Sequence, residues 1–439
     1  MRNQLKSAFR KFPVRWTFFV FILILCHSFN CANKKSFHDR TISIEQNRFF
    51  SVRFDPSYYY DVDIKIHALC EQLVHQWKEG GINAVYVKVY DPVYGAVYRT
   101  RYPHNIQTDY GRLNLLKSLI KTGHKHGILI YAWIPAFQHK QAWEAHPEWR
   151  SKEADGRDYR PDENSYHLCV RNPDYRKWWI GFVEELLKRY RDLDGVDIAE
   201  PVVSWKPGLA CHCGHCREAL NRYADSTHTT RSSAFEFTRS AALTSLIEET
   251  CRLVHSCGKI VSVTSLTTAY SSGSLYSARE QQSSTGFDLV GILDSDHKPD
   301  ILNMEILWQQ WADFWNDTTI FQPEWTEQAV RNVISQVDNR TKLVIHVEMT
   351  PIGNTRVPDS LFVRSICSAL DGGAQGIDFY DSYQADNRGL WPRIKQTLDF
   401  IPVKKIVIFH DPGYFQDARQ LEVLLRHFRT ETELRRPKG

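Results

Sequence analysis

The chain has 439 residues and a formal net charge of +4, and 42% of its residues are hydrophobic, which is enough for one large domain or two smaller ones. The positive charge comes from the N-terminus, where Arg2, Lys6, Arg10, Lys11 and Arg15 occur without an acidic residue. Without these residues the formal charge falls to about −1. The composition therefore gives no electrostatic case for a nucleic-acid partner.

The same N-terminal segment predicts export. The basic residues precede an apolar stretch, Trp16 to Cys26, which is short for a membrane span and has the usual length of a signal-peptide core. We assign residues 1–31 to a signal peptide and 32–48 to a linker. Ser28-Phe29-Asn30-Cys31 loosely resembles a bacterial lipobox, so lipid attachment at Cys31, ordinary cleavage nearby and an uncleaved anchor all stay open. The predicted location is the periplasm or cell envelope of a bacterium.

From residue 49 onward, β-prone segments alternate with segments of helical period, which is the pattern of a parallel α/β sheet. Eight strands are predicted, at Phe49–Phe54, Asn83–Tyr90, Ile128–Ile134, Gly195–Ala199, Lys259–Ser265, Phe287–Asp294, Lys342–Glu348 and Gln375–Asp381. Helices are predicted at about 62–79, 111–126, 173–191, 233–257, 304–316, 325–338, 358–371 and 389–400. Eight repeats, with no glycine-rich phosphate loop after the first strand, favour a (β/α)8 TIM barrel at 49–402 over an open doubly wound sheet.

Two long loops follow the third and fourth predicted strands, at 137–172 and 201–232. Loops at the C-terminal ends of barrel strands are where barrel enzymes carry specificity. Residues 403–439 add a unit with one predicted strand and one helix. Because a single βα unit cannot bury both faces of a sheet, this unit is either a short extension that packs on the barrel or a truncated second domain.

Two glutamates close two of the predicted strands. Val196–Ile198 ends at Glu200-Pro201, and Leu343–Val347 ends at Glu348, shortly before another proline. Strands four and seven lie on opposite sides of an eight-stranded barrel, so their C-terminal ends can present two carboxyl groups across one cleft. Glycoside hydrolysis needs such a pair, one protonated and one ionised. We therefore expect Glu200 and Glu348 to be catalytic, the alternative being two loop glutamates without a catalytic role.

Aromatic residues are concentrated at the same predicted strand ends, where rings would suit the apolar C–H faces of sugars. The predicted substrate-binding residues are Tyr90, Trp133, Trp205, Trp325, His346 and Asp381. Trp133 and Trp205 are preferred, because a strand end and a polar loop are poor places to bury an indole ring. A group after the sixth predicted strand, Asp294, Asp296 and His297, offers a divalent-metal site as an alternative centre, although its spacing matches no fixed ligand template.

A cysteine cluster follows Glu200. Cys211, Cys213 and Cys216 have the spacing C-x-C-x-x-C, which allows three thiolates to bind one tetrahedral Zn²⁺. Cys169 in the preceding loop can complete the set, with His212 or His215 as substitutes; a disulfide plus a free thiol is the alternative. Four thiolate ligands leave no open coordination position, so a structural zinc ion is predicted, and no organic cofactor.

Four segments together resemble a known family: Glu200, the cysteine cluster followed by Arg-Glu-Ala-Leu, HVEMTPIGN around Glu348, and GGAQGIDFYDSYQ. They are similar to the clan A (β/α)8-barrel glycoside hydrolases, in particular family 42 β-galactosidases and related hypothetical glycosyl hydrolases, over about Ser51–Gln384. The resemblance implies Glu200 as general acid/base, Glu348 as nucleophile of a retaining mechanism, and the four cysteines as zinc ligands.

One position departs from that family. The asparagine that precedes the acid and contacts the sugar is replaced by Ala199, whose methyl group cannot make this hydrogen bond. We therefore expect an exported retaining glycosidase that acts on an oligo- or polysaccharide, and not specifically a galactosidase. The alternatives are a catalytically inactive carbohydrate-binding barrel and a metal hydrolase built on Asp294, Asp296 and His297.

Overall fold

The computed structural model describes residues 48–59, 65–349 and 357–400, together with two further strands, Lys405–Phe409 and Glu431–Arg435. The predicted signal peptide, most of the linker and the lipidation site at Cys31 lie outside these residues. The barrel unit runs from Arg48 to Phe400. The two further strands belong to a second unit, where they pair in parallel. The helix predicted between them lies outside the described residues, and the strand at Glu431–Arg435 was not predicted.

Eight parallel strands close into a barrel, which confirms the predicted (β/α)8 fold. In chain order they are β1 (Phe49–Phe54), β2 (Ala84–Lys88), β3 (Leu129–Pro135), β4 (Gly195–Ala199), β5 (Ile260–Leu266), β6 (Ile301–Glu305), β7 (Lys342–Glu348) and β8 (Gly376–Tyr380). Each strand pairs with its neighbours in sequence, and β8 pairs with β1 from Phe49 opposite Gly376 to Val52 opposite Phe379. Side chains alternate between the barrel axis and the helix layer, so both faces of the strands are buried.

Helices surround the barrel. The longer ones are Ile66–Glu79, Leu115–Lys125, Pro173–Arg189, Gly214–Thr227, Arg231–Ser256, Trp325–Val337, Asp359–Asp371 and Trp391–Phe400. The shorter ones are Asp109–Leu113, Lys140–Ala145, Ala278–Thr285, Leu289–Asp294, Trp308–Trp315 and Ser382–Arg388, with 3-10 turns at Pro56–Tyr58 and Pro147–Trp149. Among the described residues, no helix combines the length and the apolar character needed to cross a membrane.

Local sequence sets the helix boundaries. The helix Pro173–Arg189 starts at Asn172, whose side chain accepts hydrogen bonds from the backbone N–H groups of Asp174 and Tyr175 at 2.9 and 3.0 Å. Proline in the first turn has no N–H that would go unpaired there. The predicted boundaries of this helix, 173–191, are therefore close to the observed ones.

The sixth strand was wrongly predicted. The segment 287–294 contains the helix Leu289–Asp294, and the side chain of Asp288 caps it by accepting a hydrogen bond from the backbone N–H of Gly291 at 3.0 Å. Its buried residues, Leu289, Ile292 and Leu293, have the spacing of a helix face. A short apolar segment of this kind fits a strand or a helix equally well by periodicity.

The true sixth strand is β6, and the predicted helix 304–316 begins only at Trp308. Asp294, Asp296 and His297 consequently lie before β6, at the N-terminal end of the barrel and away from the strand mouths. Asp294 forms an ion pair with Arg340 there. The structure therefore gives no support to a metal centre formed by these three residues at the catalytic face.

Two glycines allow the N-terminal end of the barrel to be filled by aromatic rings. A Cβ atom at Gly195 would lie 2.6 Å from the ring of Tyr131, and one at Gly376 would lie 2.1 Å from the carbonyl oxygen of Phe49. The rings of Phe49 and Tyr131 meet edge to face at 5.9 Å between centroids. This end is thus a packed core, as in other (β/α)8 barrels, and only the C-terminal end can open to a ligand.

Candidate active site

A buried polar network fills the barrel between the aromatic rings at its N-terminal end and the C-terminal ends of the strands. Arg53 of β1 lies at the centre of this network, with 1% of its surface exposed. Its Nε donates to Asp378 at 2.7 Å, its Nη1 to Asp197 at 3.1 Å and its Nη2 to Thr264 at 2.6 Å. Asn303 donates to the same Asp378 oxygen at 2.6 Å. Strands β1, β4, β5, β6 and β8 are therefore tied together by one set of charge-assisted hydrogen bonds.

The two acids of this network differ in electrostatics. Burial acts to raise the pKa of Asp378, but Arg53 and His346 outweigh it and hold the pKa at about 2. Burial raises the pKa of Asp197 even though Arg53 opposes the change. His346 faces the barrel axis, with its Nδ1 atom 3.3 Å from Asp378, and burial lowers the pKa of its imidazole. Arg53 and Asp378 thus form the principal ion pair beneath the mouth of the barrel, which is the open end formed by the C-terminal ends of the strands.

Glu200 follows β4 at this mouth, and its backbone has a left-handed conformation with φ of 51°. A glutamate rarely adopts this conformation, and such residues cluster at functional sites. Ala199 faces the barrel interior, so strict alternation would turn the next side chain outward. The Glu200 carboxyl group instead lies near Arg53 and Lys88. Part of the Glu200 residue is exposed to solvent. Burial of its carboxyl group within the mouth nevertheless raises the pKa of Glu200, and the nearby cations Arg53 and Lys88 oppose this rise.

Glu348 ends β7 and is half-buried. Its Oε2 atom is buried and receives no hydrogen bond from any residue within the described ranges. Burial raises the pKa of Glu348 to about 8, which favours the neutral form of the carboxyl group near pH 7. The loop that follows, 350–356, lies outside the described residues.

A third carboxyl group shares the mouth and was missed in the sequence. Glu305 ends β6, two residues after the inward-facing Asn303, and is 9% exposed. Burial raises its pKa well above the ordinary value, and the nearby charges of Glu200 and Glu348 raise it further, against Arg53. It went unnoticed because β6 itself was misplaced. The alternation of apolar and polar residues in Ile-Leu-Asn-Met-Glu is the sequence feature that could have revealed it.

Aromatic and charged residues complete the mouth. Trp133 of β3 lies over Arg53, 4.9 Å from the guanidinium carbon to the ring centroid. Tyr380 of β8 contacts Trp133 at 6.2 Å and His346 at 5.3 Å between ring centroids. The structure therefore brings two of the predicted substrate-binding residues, Trp133 and His346, together around one tyrosine. Lys88 of β2 is held at the same end by Asp55 at 2.8 Å.

Asp381 follows β8 and is 3% exposed. Its side chain accepts a hydrogen bond from the backbone N–H of Gln384 at 2.9 Å and so caps the helix Ser382–Arg388. Burial raises the pKa of Asp381 to about 6. In the structure, Asp381 therefore acts as the N-terminal cap of the helix Ser382–Arg388.

The other three predicted binding residues make contacts outside this group of side chains. Because β2 ends at Lys88, the alternation does not continue to Tyr90, which is 1% exposed and stacks on His139 at 4.3 Å between centroids. Trp325 is 8% exposed, and its indole N–H donates to the carbonyl of Gly273 at 2.6 Å. Trp205 is partly exposed in the loop after β4, where its backbone N–H donates to the hydroxyl of Tyr159 at 2.9 Å.

The four predicted cysteine ligands converge on one point. The Sγ atoms of Cys169, Cys211, Cys213 and Cys216 all lie within 4.8 Å of one another. Cys169 is 3.4 Å from Cys213 and 3.6 Å from Cys216, distances far longer than a disulfide bond. Tetrahedral Zn–S bonds of about 2.3 Å would separate the sulfur atoms by about 3.8 Å, so this cluster fits a metal ion.

The cluster joins the two long loops, since Cys169 follows β3 and the other three cysteines follow β4. His212, one of the alternative ligands, instead donates a hydrogen bond from Nε2 to the carbonyl oxygen of Gly208 at 2.9 Å. Elsewhere among residues 48–59, 65–349 and 357–400, no other group of three or more metal-binding side chains comes this close together. The arrangement can therefore fasten the loops that border Glu200.

Comparisons with known proteins agree with this architecture. Residues 70–199 match the model of the family described as hypothetical glycosyl hydrolase 6. No curated protein sequence shows significant similarity. The structure is similar to the PgaB (BpsB) glycoside hydrolase domain from Bordetella bronchiseptica, with a TM-score of 0.63 and 14% identity over 81% of this chain and 100% of that one.

Two further solved structures share the fold. The β-galactosidase from the psychrophilic Marinomonas ef1 aligns with a TM-score of 0.57 and 13% identity, over 76% of this chain and 54% of that one. The catalytic domain of β-amylase from Paenibacillus polymyxa aligns with a TM-score of 0.56 and 11% identity, over 79% of this chain and 98% of that one. Family 42 is not singled out among these matches. The closed barrel and the family match over residues 70–199 agree with the predicted resemblance to (β/α)8-barrel glycoside hydrolases.

Proposed function

We propose that this protein is an exported retaining glycoside hydrolase that cleaves an oligo- or polysaccharide, with Glu200 as general acid/base and Glu348 as nucleophile. The observation that carries the proposal is the convergence of carboxyl groups from β4, β6 and β7 at the open end of a glycoside-hydrolase-type barrel. Both Glu200 and Glu348 influence the ionisation of Glu305, so all three groups lie around one space.

The chemistry follows from the two environments. A retaining mechanism requires one carboxylate to attack the anomeric carbon while the other group protonates the leaving oxygen, and then accepts a proton from water in the second step. The mouth raises the pKa of Glu200, which keeps a proton available for the leaving group. We expect the two carboxyl groups to lie about 5–5.5 Å apart when substrate is bound, whereas about 6.5–9.5 Å would indicate inversion.

The pH dependence of kcat/KM should reflect the pKa of Glu348, which burial raises to about 8. A nucleophile must be ionised, so kcat/KM is expected to rise about tenfold per pH unit below pH 8 and to stop rising above it. If Glu348 served as the acid, the sign would reverse, and kcat/KM would be lost as the pH rises through 8. Initial rates at low substrate between pH 5 and 10 distinguish the two assignments.

The activity itself is tested by a screen of 4-nitrophenyl glycosides of galactose, glucose, fucose, mannose and N-acetylglucosamine, in both anomeric forms. Release of nitrophenol, with proton NMR of the first sugar product, gives the substrate and the stereochemistry together. Retention of the anomeric configuration is expected. Inversion would contradict the covalent mechanism, and absence of hydrolysis across these glycosides and a panel of soluble polysaccharides would contradict the enzymatic function.

We further propose that Cys169, Cys211, Cys213 and Cys216 hold one structural zinc ion. Four thiolates leave no position for substrate or water, so the ion would brace the loops after β3 and β4 and take no part in the reaction. The carboxyl groups of Glu200 and Glu348 are carried by β4 and β7 and do not belong to the cluster.

Zinc analysis of the purified protein should find about one equivalent per chain, and Cys211→Ser should lose it. A ligand present at a thousand times its Kd stabilises a fold by about 4 kcal/mol, so removing the zinc should lower Tm by roughly 10 °C. Cys367→Ser, at an exposed cysteine outside the cluster, is the control and should keep the metal. Disulfides within the cluster and no zinc would contradict the assignment.

The alternative function, a catalytically inactive carbohydrate-binding barrel, is favoured by one observation. Ala199 is 4% exposed and packs in the barrel interior, so the sugar contact that the resemblance places there is missing. A sugar that binds saturably and is never hydrolysed would favour this alternative over the enzyme.

Export is part of the proposal and is supported by the basic N-terminal stem and the apolar stretch that follows it. Attachment to the membrane through a lipidated Cys31 is the form of export that we propose. Mass spectrometry of the mature N-terminus tests it, since a chain that begins at an unmodified residue beyond Cys31 would exclude lipid anchoring.

A further inference from the structure

Glu305 has no role in the reaction of Glu200 and Glu348, yet it occupies their pocket. Its backbone carbonyl is held by Thr267, whose N–H and hydroxyl donate to it at 3.2 and 2.7 Å. The strand end is therefore fixed, and the inward direction of the side chain follows from Asn303, which lies two residues earlier and reaches Asp378 on the barrel axis.

The carboxyl group of Glu305 lacks the partners that a buried polar group normally has. More than nine-tenths of the residue is buried, and no hydrogen bond joins its side chain to a residue in the described part of the chain, although its carboxyl oxygens are not fully enclosed and can be reached from the cleft. Buried polar groups are nearly always paired, and an exception in a cleft points to a ligand. A partner on the protein would also have been expected if the residue served only to stabilise the barrel.

We propose that Glu305 is a further sugar-binding residue of this site, donating a hydrogen bond from its carboxyl group to a hydroxyl oxygen of the sugar held between Glu200 and Glu348. The inference rests on the proposed function for the identity of the ligand. Burial and the two neighbouring acids raise the pKa of Glu305, which favours the neutral form, and this form has one O–H donor that an ionised carboxylate would lack.

Two variants with side chains of similar length test whether residue 305 donates a hydrogen bond to the sugar or only fills space in the pocket. Glu305→Gln keeps a donor at the same place and cannot ionise, whereas Glu305→Met keeps the unbranched chain and removes the donor. Both are made in a Glu348→Gln background, so that ligand is bound without turnover. The probes are the methyl glycosides of galactose, glucose, fucose, mannose and N-acetylglucosamine, with affinity measured by isothermal titration calorimetry and folding checked by Tm.

We expect Glu305→Gln to bind the preferred methyl glycoside within about threefold of the parent variant, and Glu305→Met to bind about tenfold more weakly. Glu249→Ala, which removes a carboxylate from an ion pair with Arg176 on the outer helices, is the matched control and should leave affinity unchanged. Rescue by glutamine is the result that a purely structural role would not give.

Three results would overturn the inference. Equal binding by Glu305→Met and the parent variant would show that no hydrogen bond is made. Equal loss in both variants would show that the carboxylate acts in its ionised form. Failure of every methyl glycoside to bind the parent variant would overturn this inference, whereas the hydrolysis screen decides the proposed function separately. Binding with the expected order, combined with no hydrolysis by the wild type, would leave Glu305 as a sugar-binding residue and reject only the enzymatic function.

Discussion

Glu348→Ala is expected to lower kcat/KM on the best aryl glycoside by at least about a thousandfold, and azide is expected to restore turnover. Removal of a nucleophile usually costs several orders of magnitude, because the remaining groups cannot form the covalent intermediate. The space left by the side chain admits a small anion, which attacks the anomeric carbon in its place. The product should be a glycosyl azide of inverted configuration, identified by NMR.

Glu200→Ala should behave differently, and the difference assigns the two roles. A nitrophenolate leaves without protonation, so the first step should survive better than it does with an unactivated glycoside. Azide should then give a glycosyl azide of retained configuration. Glu249→Ala is again the control. Full activity in either active-site variant would contradict its assignment, and azide products with the opposite configurations would exchange the two roles.

Arg53→Met is expected to destabilise the barrel by about 3–5 kcal/mol and to lower Tm by the order of 10 °C. The substitution leaves Asp378 and Asp197 buried with no cation bonded to them. Arg112→Met is the control, because that side chain is 71% exposed and its pairing with Asp109 contributes little. Urea denaturation, with the same m-value in all variants, measures the differences.

The pH dependence of this effect has a definite sign. The pKa of Asp378 is held at about 2, below its ordinary value of about 3.8, so the ion pair contributes stability above pH 4 that is lost as the pH falls toward 2. The deficit of Arg53→Met should therefore be largest near pH 7 and shrink in acid. The double variant Arg53→Met/Asp378→Asn should recover part of the loss. An additive double variant would show that the two residues are not coupled.

The sequence determined most of the fold where strand boundaries have a chemical cause. The predicted limits of β1, β4 and β7 coincide with the observed ones. Glu200 and Pro201 directly follow β4, and β7 ends at Glu348, close to a proline. The prediction of the sixth strand was wrong for a physical reason. Its interior side chains are polar because they serve the buried network, and the apolar segment before it had the stronger β pattern although it folds as a helix.

The site was predictable in part for the same reason. Glu200 and Glu348 stand at strand ends, and Cys169 and the cysteine cluster are recognisable from residue type and spacing. Arg53, Asp197 and Asp378 belong to no motif, and they meet only when β1, β4 and β8 close into a ring. Glu305 could be placed only after β6 was located. Tyr90 was misplaced because β2 ends at Lys88, two residues earlier, and Tyr90 begins a separate short strand, Tyr90–Asp91, a boundary that periodicity does not mark.

The central claim is that Glu200 and Glu348 flank the bond that is broken. The most direct measurement is trapping of the wild-type protein with the 2-deoxy-2-fluoro glycoside of the sugar that the aryl glycoside screen selects, followed by mass spectrometry of the proteolysed adduct. The proposed mechanism predicts one covalent sugar per chain, attached to Glu348. Attachment to Glu305 or Glu200, or hydrolysis of the aryl glycoside without any adduct and with inversion, would contradict it.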